Sequence, residues 1–140
     1  MYGAYENLPA EWKERFKDSF VMQGYDYGCD ERLNLNVNLD NIFHYRQPMF
    51  LKNPGSGRIG LYVSRLNTMW IEGIDRDESE EILMKMFEIA EDPSIVYEHV
   101  WQPSDLLMWD NLACHHARTT WPDGQTRELR RCTTNGAPLY

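Results

Sequence analysis

Short apolar or β-branched runs separated by turn residues constrain this chain most. Ile95 to Trp101, Leu106 to Trp109 and Glu128 to Thr134 follow one another in its second half. Such punctuation predicts an antiparallel sheet or barrel. Upstream, Met49 to Lys52 and Ile59 to Val63 flank the breakers Asn53-Pro54-Gly55-Ser56-Gly57, which predicts a hairpin. Leu33 to Asp40 alternates apolar with Asn or Asp, the period of a strand with one wet face. Its Asn and Asp residues resist regular pairing, so it reads as a strand or an extended loop.

Two segments carry the other period. Leu8, Trp12, Phe16 and Phe20 fall on one stripe, with Lys13, Glu14, Lys17 and Asp18 opposite, predicting a helix from Leu8 to Val21. Asn7 is placed to cap it, Pro9 suits its first turn and Gly24 is placed to end it. Asp77 and Glu80 resemble a capping pair, after which Ile82, Leu83, Met86, Phe87 and Ala90 trace one face until Asp92-Pro93. Met84 and Met86 read as packing residues. With no internal repeat or linker, residues 1–140 are expected to form one α+β domain, sheet-dominated in its second half.

Composition narrows the function. With 42% apolar and 26% charged residues and only 9 Gly and 7 Pro, the chain has a globular profile. Its 14 basic against 22 acidic side chains give a net charge of −8, so a phosphate-tracking surface would work against the field of the whole molecule. No nucleic-acid partner is expected. Cys29, Cys114 and Cys132 are odd in number and lack C-x-x-C spacing, which fits a reducing, cytoplasmic setting. Met1 to Glu6 has neither a basic region nor an apolar run, and no segment approaches a membrane span, so no export or membrane partner is expected.

The reactive side chains concentrate in Trp109-Asp110-Asn111-Leu112-Ala113-Cys114-His115-His116-Ala117-Arg118. Adjacent histidines on a strand point to opposite faces, so at most one looks inward. Read alone, this window is met more simply by one hydrogen-bonded inward histidine and one surface histidine than by ligation. Asp110 reads equally well as a turn acid. Downstream, Arg127, Arg130 and Arg131 surround Leu129. A guanidinium fixed on a strand suits bidentate capture of a carboxylate or sulfonate, and alternation puts Arg127 and Arg131 on one face. Without the histidines, a solvated charge run would be the simpler account.

The run Trp101-Gln102-Pro103-Ser104-Asp105-Leu106-Leu107-Met108-Trp109-Asp110-Asn111, then His116, Arg127, Arg131 and Gly136, resembles the C-terminal signature of the taurine dioxygenase (TauD/TfdA) family. These are iron(II)- and 2-oxoglutarate-dependent dioxygenases. Ala4 to Phe16 is similar to the family's helix after its first metal motif, and Gly57 to Val63 is similar to its hairpin; the similarity is weakest from Tyr25 to Tyr45. The resemblance implies a partial double-stranded β-helix, a jelly-roll-like barrel, with two flanking helices. It implies His116 as the distal metal ligand, Arg127 as the partner of the far carboxylate of 2-oxoglutarate, and Arg131 as the group that reaches a small anionic substrate such as a sulfonate or carboxylate. Fe(II) and 2-oxoglutarate are the implied cofactor and co-substrate. His115 and Cys114 have no counterpart in the family, and Trp109-Asp110-Asn111 resembles scaffold.

The chain departs from the family at one place. The first metal motif, His-x-Asp or His-x-Glu, is absent: His44, His99, His115 and His116 are followed two positions on by Arg46, Trp101, Ala117 and Arg118. Gln47-Pro48 stands where the family often has His-Pro. The chain therefore resembles the C-terminal part of such a domain. Open strand edges would then invite pairing with another copy or with a chain that supplies the missing half. The competing reading is a non-catalytic β-rich binding or assembly module that keeps the scaffold and the arginines. A zinc hydrolase built on Cys114, His115 and His116 is a poor third, because three successive strand positions cannot face one ion.

Overall fold

The computed structural model describes residues 1–26, 32–33, 38–119, 122–124, 126 and 128–134. Cys29, Arg127, Gly136 and residues 34–37 of the alternating Leu33 to Asp40 segment lie outside the described residues. Leu39–Asn41 is a short 3-10 turn capped by the Asn38 side chain.

The predicted helix from Leu8 to Val21 is replaced by three elements. Helix α1 spans Tyr2–Asn7, helix α2 spans Ala10–Arg15, and strand β1 spans Phe20–Tyr25. Pro9 explains the break, since its ring pushes the preceding residue out of the helical region, and Leu8 is extended at φ −65°, ψ 142°. Asn7 therefore ends α1 rather than capping α2, whose N-cap is Pro9 itself. The stripe still works where it was read: Leu8 and Phe16 are buried and Trp12 packs against the core. Phe20 and Val21 belong to the strand instead, where an aromatic and a β-branched residue pack well on a pleated surface.

Strands β2 (Phe43–Pro48) and β5 (Thr68–Ile71) flank β1 in an antiparallel sheet of order β2-β1-β5. Gly24 lies inside β1, opposite His44, and terminates nothing. A Cβ there would meet Met69 Sδ at 2.5 Å and Ile42 Cδ1 at 3.0 Å, so the position is kept bare by close approach. The expected hairpin is present as β3 (Phe50–Lys52) and β4 (Ile59–Leu61), pairing Phe50 with Leu61, Leu51 with Gly60 and Lys52 with Ile59.

The second expected helix is α3 (Arg76–Ala90). Its cap is Asp75, whose carboxylate accepts from Asp77 N at 2.9 Å, while Glu80 pairs with Arg32. Ile82, Leu83, Met86 and Phe87 are buried against Val21, Ile71, Leu61 and Val63. Met86 is core as expected. Met84 is not: it is exposed, with its sulfur 3.6 Å from the Arg65 guanidinium.

The expected strands Ile95 to Trp101, Leu106 to Trp109 and Glu128 to Thr134 are not strands among the described residues. Their composition suits the pleat, but a strand exists only when a neighbouring backbone completes its hydrogen bonds. Here Tyr97, Val100, Leu106 and Met108 stand in solvent. The architecture is thus α+β; the described residues form two antiparallel sheets and three α-helices rather than the two expected, and they close no barrel. No helix among them is long and apolar enough to cross a membrane.

Helix α3 is fastened to the sheet by a polar bond inside the core: buried Ser79 Oγ accepts from Ile71 N at 2.8 Å. Ser79→Ala leaves that N–H without an acceptor and should cost about 1 to 3 kcal/mol of stability. Urea unfolding followed by circular dichroism measures it, with exposed Ser94→Ala as the control.

Candidate functional site

The segment that carries the histidines begins at a tight turn. Asp110 O accepts from both Ala113 N and Cys114 N at 3.0 Å, and Asp110 Oδ1 accepts from Leu112 N at 2.8 Å. The second carboxylate oxygen accepts from Asn53 Nδ2 at 2.7 Å, which ties this turn to the β3–β4 connection. On the near side of the turn, Trp109 Nε1 donates to Asn111 Oδ1 at 3.0 Å, and the Trp109 ring lies 4.9 Å from the His116 ring.

His115 and His116 meet different neighbours. The His115 ring lies 6.2 Å from that of Tyr62, just beyond β4, whereas His116 packs on Trp109. His115 keeps an exposed flank, yet burial of its ring, helped by the charges of the amino terminus and His116, pushes its imidazole down to about 4. His116 is also lowered from its ordinary value, first by burial and then by the positive charge of Arg131. His116 and Arg131 therefore share one neighbourhood. Arg127, the third residue expected there, lies outside the described residues.

The Trp101 to Asp105 segment forms a second turn. Ser104 adopts φ +74°, Asp105 N donates to Gln102 O at 3.1 Å, and Gln102 N donates back to Asp105 Oδ2 at 2.9 Å. The same oxygen is 3.1 Å from His99 Nε2, and the Tyr97 hydroxyl is 3.2 Å from His99 Nδ1. The sequence reading missed His99, Tyr97 and Asn53 as participants. In the sequence Asn53 stands out only as a turn breaker, although an amide with both a donor and an acceptor is the available signal.

Among the described residues no group of three His, Cys, Asp or Glu side chains could hold a metal ion. Cys114 and Cys132 are exposed free thiols. An open cleft of about 270 Å³ lies on the β1–β2 face, lined by Gln23, Tyr25, Phe43, Tyr45, Gln47 and Asn67 together with Gly24. This lining holds amides and aromatic rings but no cation. Gln23 donates to Tyr62 O at 2.9 Å, which links the cleft wall to the residue that packs on His115.

A cation near an imidazole disfavours its protonation. Arg131→Ala should therefore raise the His116 pKa toward the ordinary histidine value, and Arg130→Ala should leave it in place. Titration of the His116 ring signals by NMR reads the shift; no change in Arg131→Ala would remove the electrostatic link.

The model of the taurine catabolism dioxygenase TauD, TfdA family matches residues 1–133. The chain is 32% identical over 144 residues to pentalenolactone F synthase of Streptomyces arenae, covering 94% of this chain and 48% of that protein. It is 30% identical over 145 residues to the alpha-ketoglutarate-dependent 2,4-dichlorophenoxyacetate dioxygenase of Burkholderia sp. (strain RASC), covering 97% and 46%. A crystal structure described as an alpha-ketoglutarate dependent 2,4-D dioxygenase from Burkholderia xenovorans superposes with a TM-score of 0.65 at 26% identity, over 81% of this chain and 45% of that one. The chain spans about half the length of the curated relatives it matches. The match over nearly the whole chain and the agreement of the two folds lead to one conclusion: the chain belongs to the taurine catabolism dioxygenase (TauD/TfdA) family.

Proposed function

We propose that residues 1–140 are the C-terminal part of a single Fe(II)- and 2-oxoglutarate-dependent dioxygenase domain that hydroxylates a small anionic substrate. The observation that carries this reading is the family match over residues 1–133, a span that includes His116, whose ring packs on Trp109. His116 would supply one metal ligand. A ligating imidazole must be neutral, and both burial and Arg131 favour the neutral ring. Arg127 would pair with the far carboxylate of 2-oxoglutarate, and Arg131 would reach the anionic group of a sulfonate or carboxylate substrate. Guanidinium groups suit both tasks because their fork matches a carboxylate in two parallel hydrogen bonds.

The described residues do not fit a complete metal centre by themselves, since His116 has no two further ligands beside it. The remaining ligands would come from outside this chain. When assembled, iron and 2-oxoglutarate would supply the oxidising chemistry, with one oxygen atom of O2 entering the substrate and the other leaving in succinate, alongside CO2. This chain's own contribution is placement: an imidazole and two guanidinium groups that lower the entropic cost of bringing co-substrate and substrate together.

The absence of a three-ligand group among the described residues also favours a second reading, a binding or assembly module that keeps the scaffold without the reaction. Anaerobic titration with Fe(II) and 2-oxoglutarate separates the two. The 140-residue chain alone should bind iron weakly and form little succinate. Joined to a family segment carrying His-x-Asp, it should show the visible charge-transfer band of the chelate, and His116→Ala should abolish that band. If the joined protein gives no band, the module reading stands. Tight stoichiometric iron with succinate formation by the isolated chain would sink the claim that ligands are supplied from outside.

A further inference from the structure

We infer that Asn53 is a positioning residue for the His116 segment, acting through Asp110. Asn53 is 3% exposed, and the two ends of its amide do different work. Its Oδ1 accepts from Gly55 N at 2.8 Å and Ser56 N at 3.0 Å, closing its own turn. Its backbone is fixed as well, with N donating to Arg58 O and O accepting from Gly57 N, each at 2.8 Å. The remaining Nδ2 donates out of the hairpin to Asp110 Oδ2 at 2.7 Å.

The consequence follows from what Asp110 holds. Its other carboxylate oxygen and its carbonyl organise residues 112 to 114, directly before the two histidines, and it directly follows Trp109, on which His116 packs. Residues 95–119 have no strand pairing among the described residues, so no backbone ladder sets their position. A side-chain bond from a residue anchored in the β3–β4 connection to a charged acceptor fills that role; such charge-assisted bonds are the stronger kind. Asparagine is the residue type required, because one side chain must accept within its turn and donate across to the carboxylate. What this placement serves rests on the reading of His116 as a metal ligand; the placement itself does not.

The link can be broken from either side. Asn53→Asp still accepts from Gly55 and Ser56 but sets a carboxylate against Asp110. Asp110→Asn keeps a single acceptor oxygen, which cannot serve Leu112 N and Asn53 Nδ2 together. Together, Asn53→Asp with Asp110→Asn restores a donor facing an acceptor with the polarity reversed. The measurement is the nuclear Overhauser contact between the Trp109 and His116 rings in the 140-residue chain, with the fold monitored by the Leu83 and Met86 methyl signals. Each single variant should weaken the contact about fivefold or more, and the double variant should restore at least about half of it. Asp110→Asn lies on the exposed side and tests the link even if Asn53→Asp fails to fold. A contact that survives Asp110→Asn, or a folded double variant that does not regain it, would overturn the inference. Loss of iron binding in His116→Ala tests the ligand reading separately, so the two can fail independently.

Discussion

Met49 is the joint between the two sheets. Its N–H donates to Ser19 O at 2.9 Å, its carbonyl accepts from Tyr62 N at 2.7 Å, and its side chain is fully buried. β2 ends at Pro48, which has no N–H to continue a ladder, and β3 begins at Phe50. The chain changes sheet at a single residue whose two backbone groups are each taken by a different partner. That corner places the β3–β4 hairpin over the core, and the hairpin in turn offers Asn53 to Asp110 and Tyr62 to His115. The position of the histidines is therefore inherited from one corner of the backbone.

The charge distribution separates scaffold from site. Arg15 with Glu78, Arg58 with Glu6 and Arg65 with Glu91 are exposed pairs, and pairs of that kind add little to stability because water screens them. These cations also lie over aromatic rings, as Arg58 does over Tyr2 at 4.2 Å and Arg15 over Phe16 at 4.9 Å. They cover apolar surface as much as they neutralise acids. Arg131 is different, because its charge adds to burial in lowering the pKa of the His116 imidazole.

What was legible in the sequence depended on how local its cause was. Helix α3 was readable because its buried face repeats at the helical period, and the hairpin because Asn53 to Gly57 leaves few other conformations. β1 was hidden: Leu8, Trp12, Phe16 and Phe20 keep helical spacing, and only Pro9 signals that the helix cannot be continuous. The importance of β2 and β5 comes from pairing with β1, a non-local fact. At the site, His116, Arg127 and Arg131 stood out only through the family resemblance, since the window read alone favoured a hydrogen-bonded histidine and a solvated charge run. The partner of Asp110 could not be read, because a residue 57 positions upstream supplies it.

The region from Leu106 to Trp109 shows why correct strand chemistry failed to give a strand. Leu107 and Trp109 are half-buried while Leu106 and Met108 are 86% and 83% exposed, so the backbone already alternates as a strand would. One face is half-buried; the other stands in solvent. Covering two such side chains would contribute about 1.5 to 3 kcal/mol each, a gain that an isolated two-faced segment forgoes. On the functional reading proposed above, the layer that would cover Leu106 and Met108 and the residues that would complete the ligand set of His116 come from the same place. Closing the barrel and completing the metal site are then one event, and a weak metal site in the isolated chain is the expected counterpart of an uncovered apolar face.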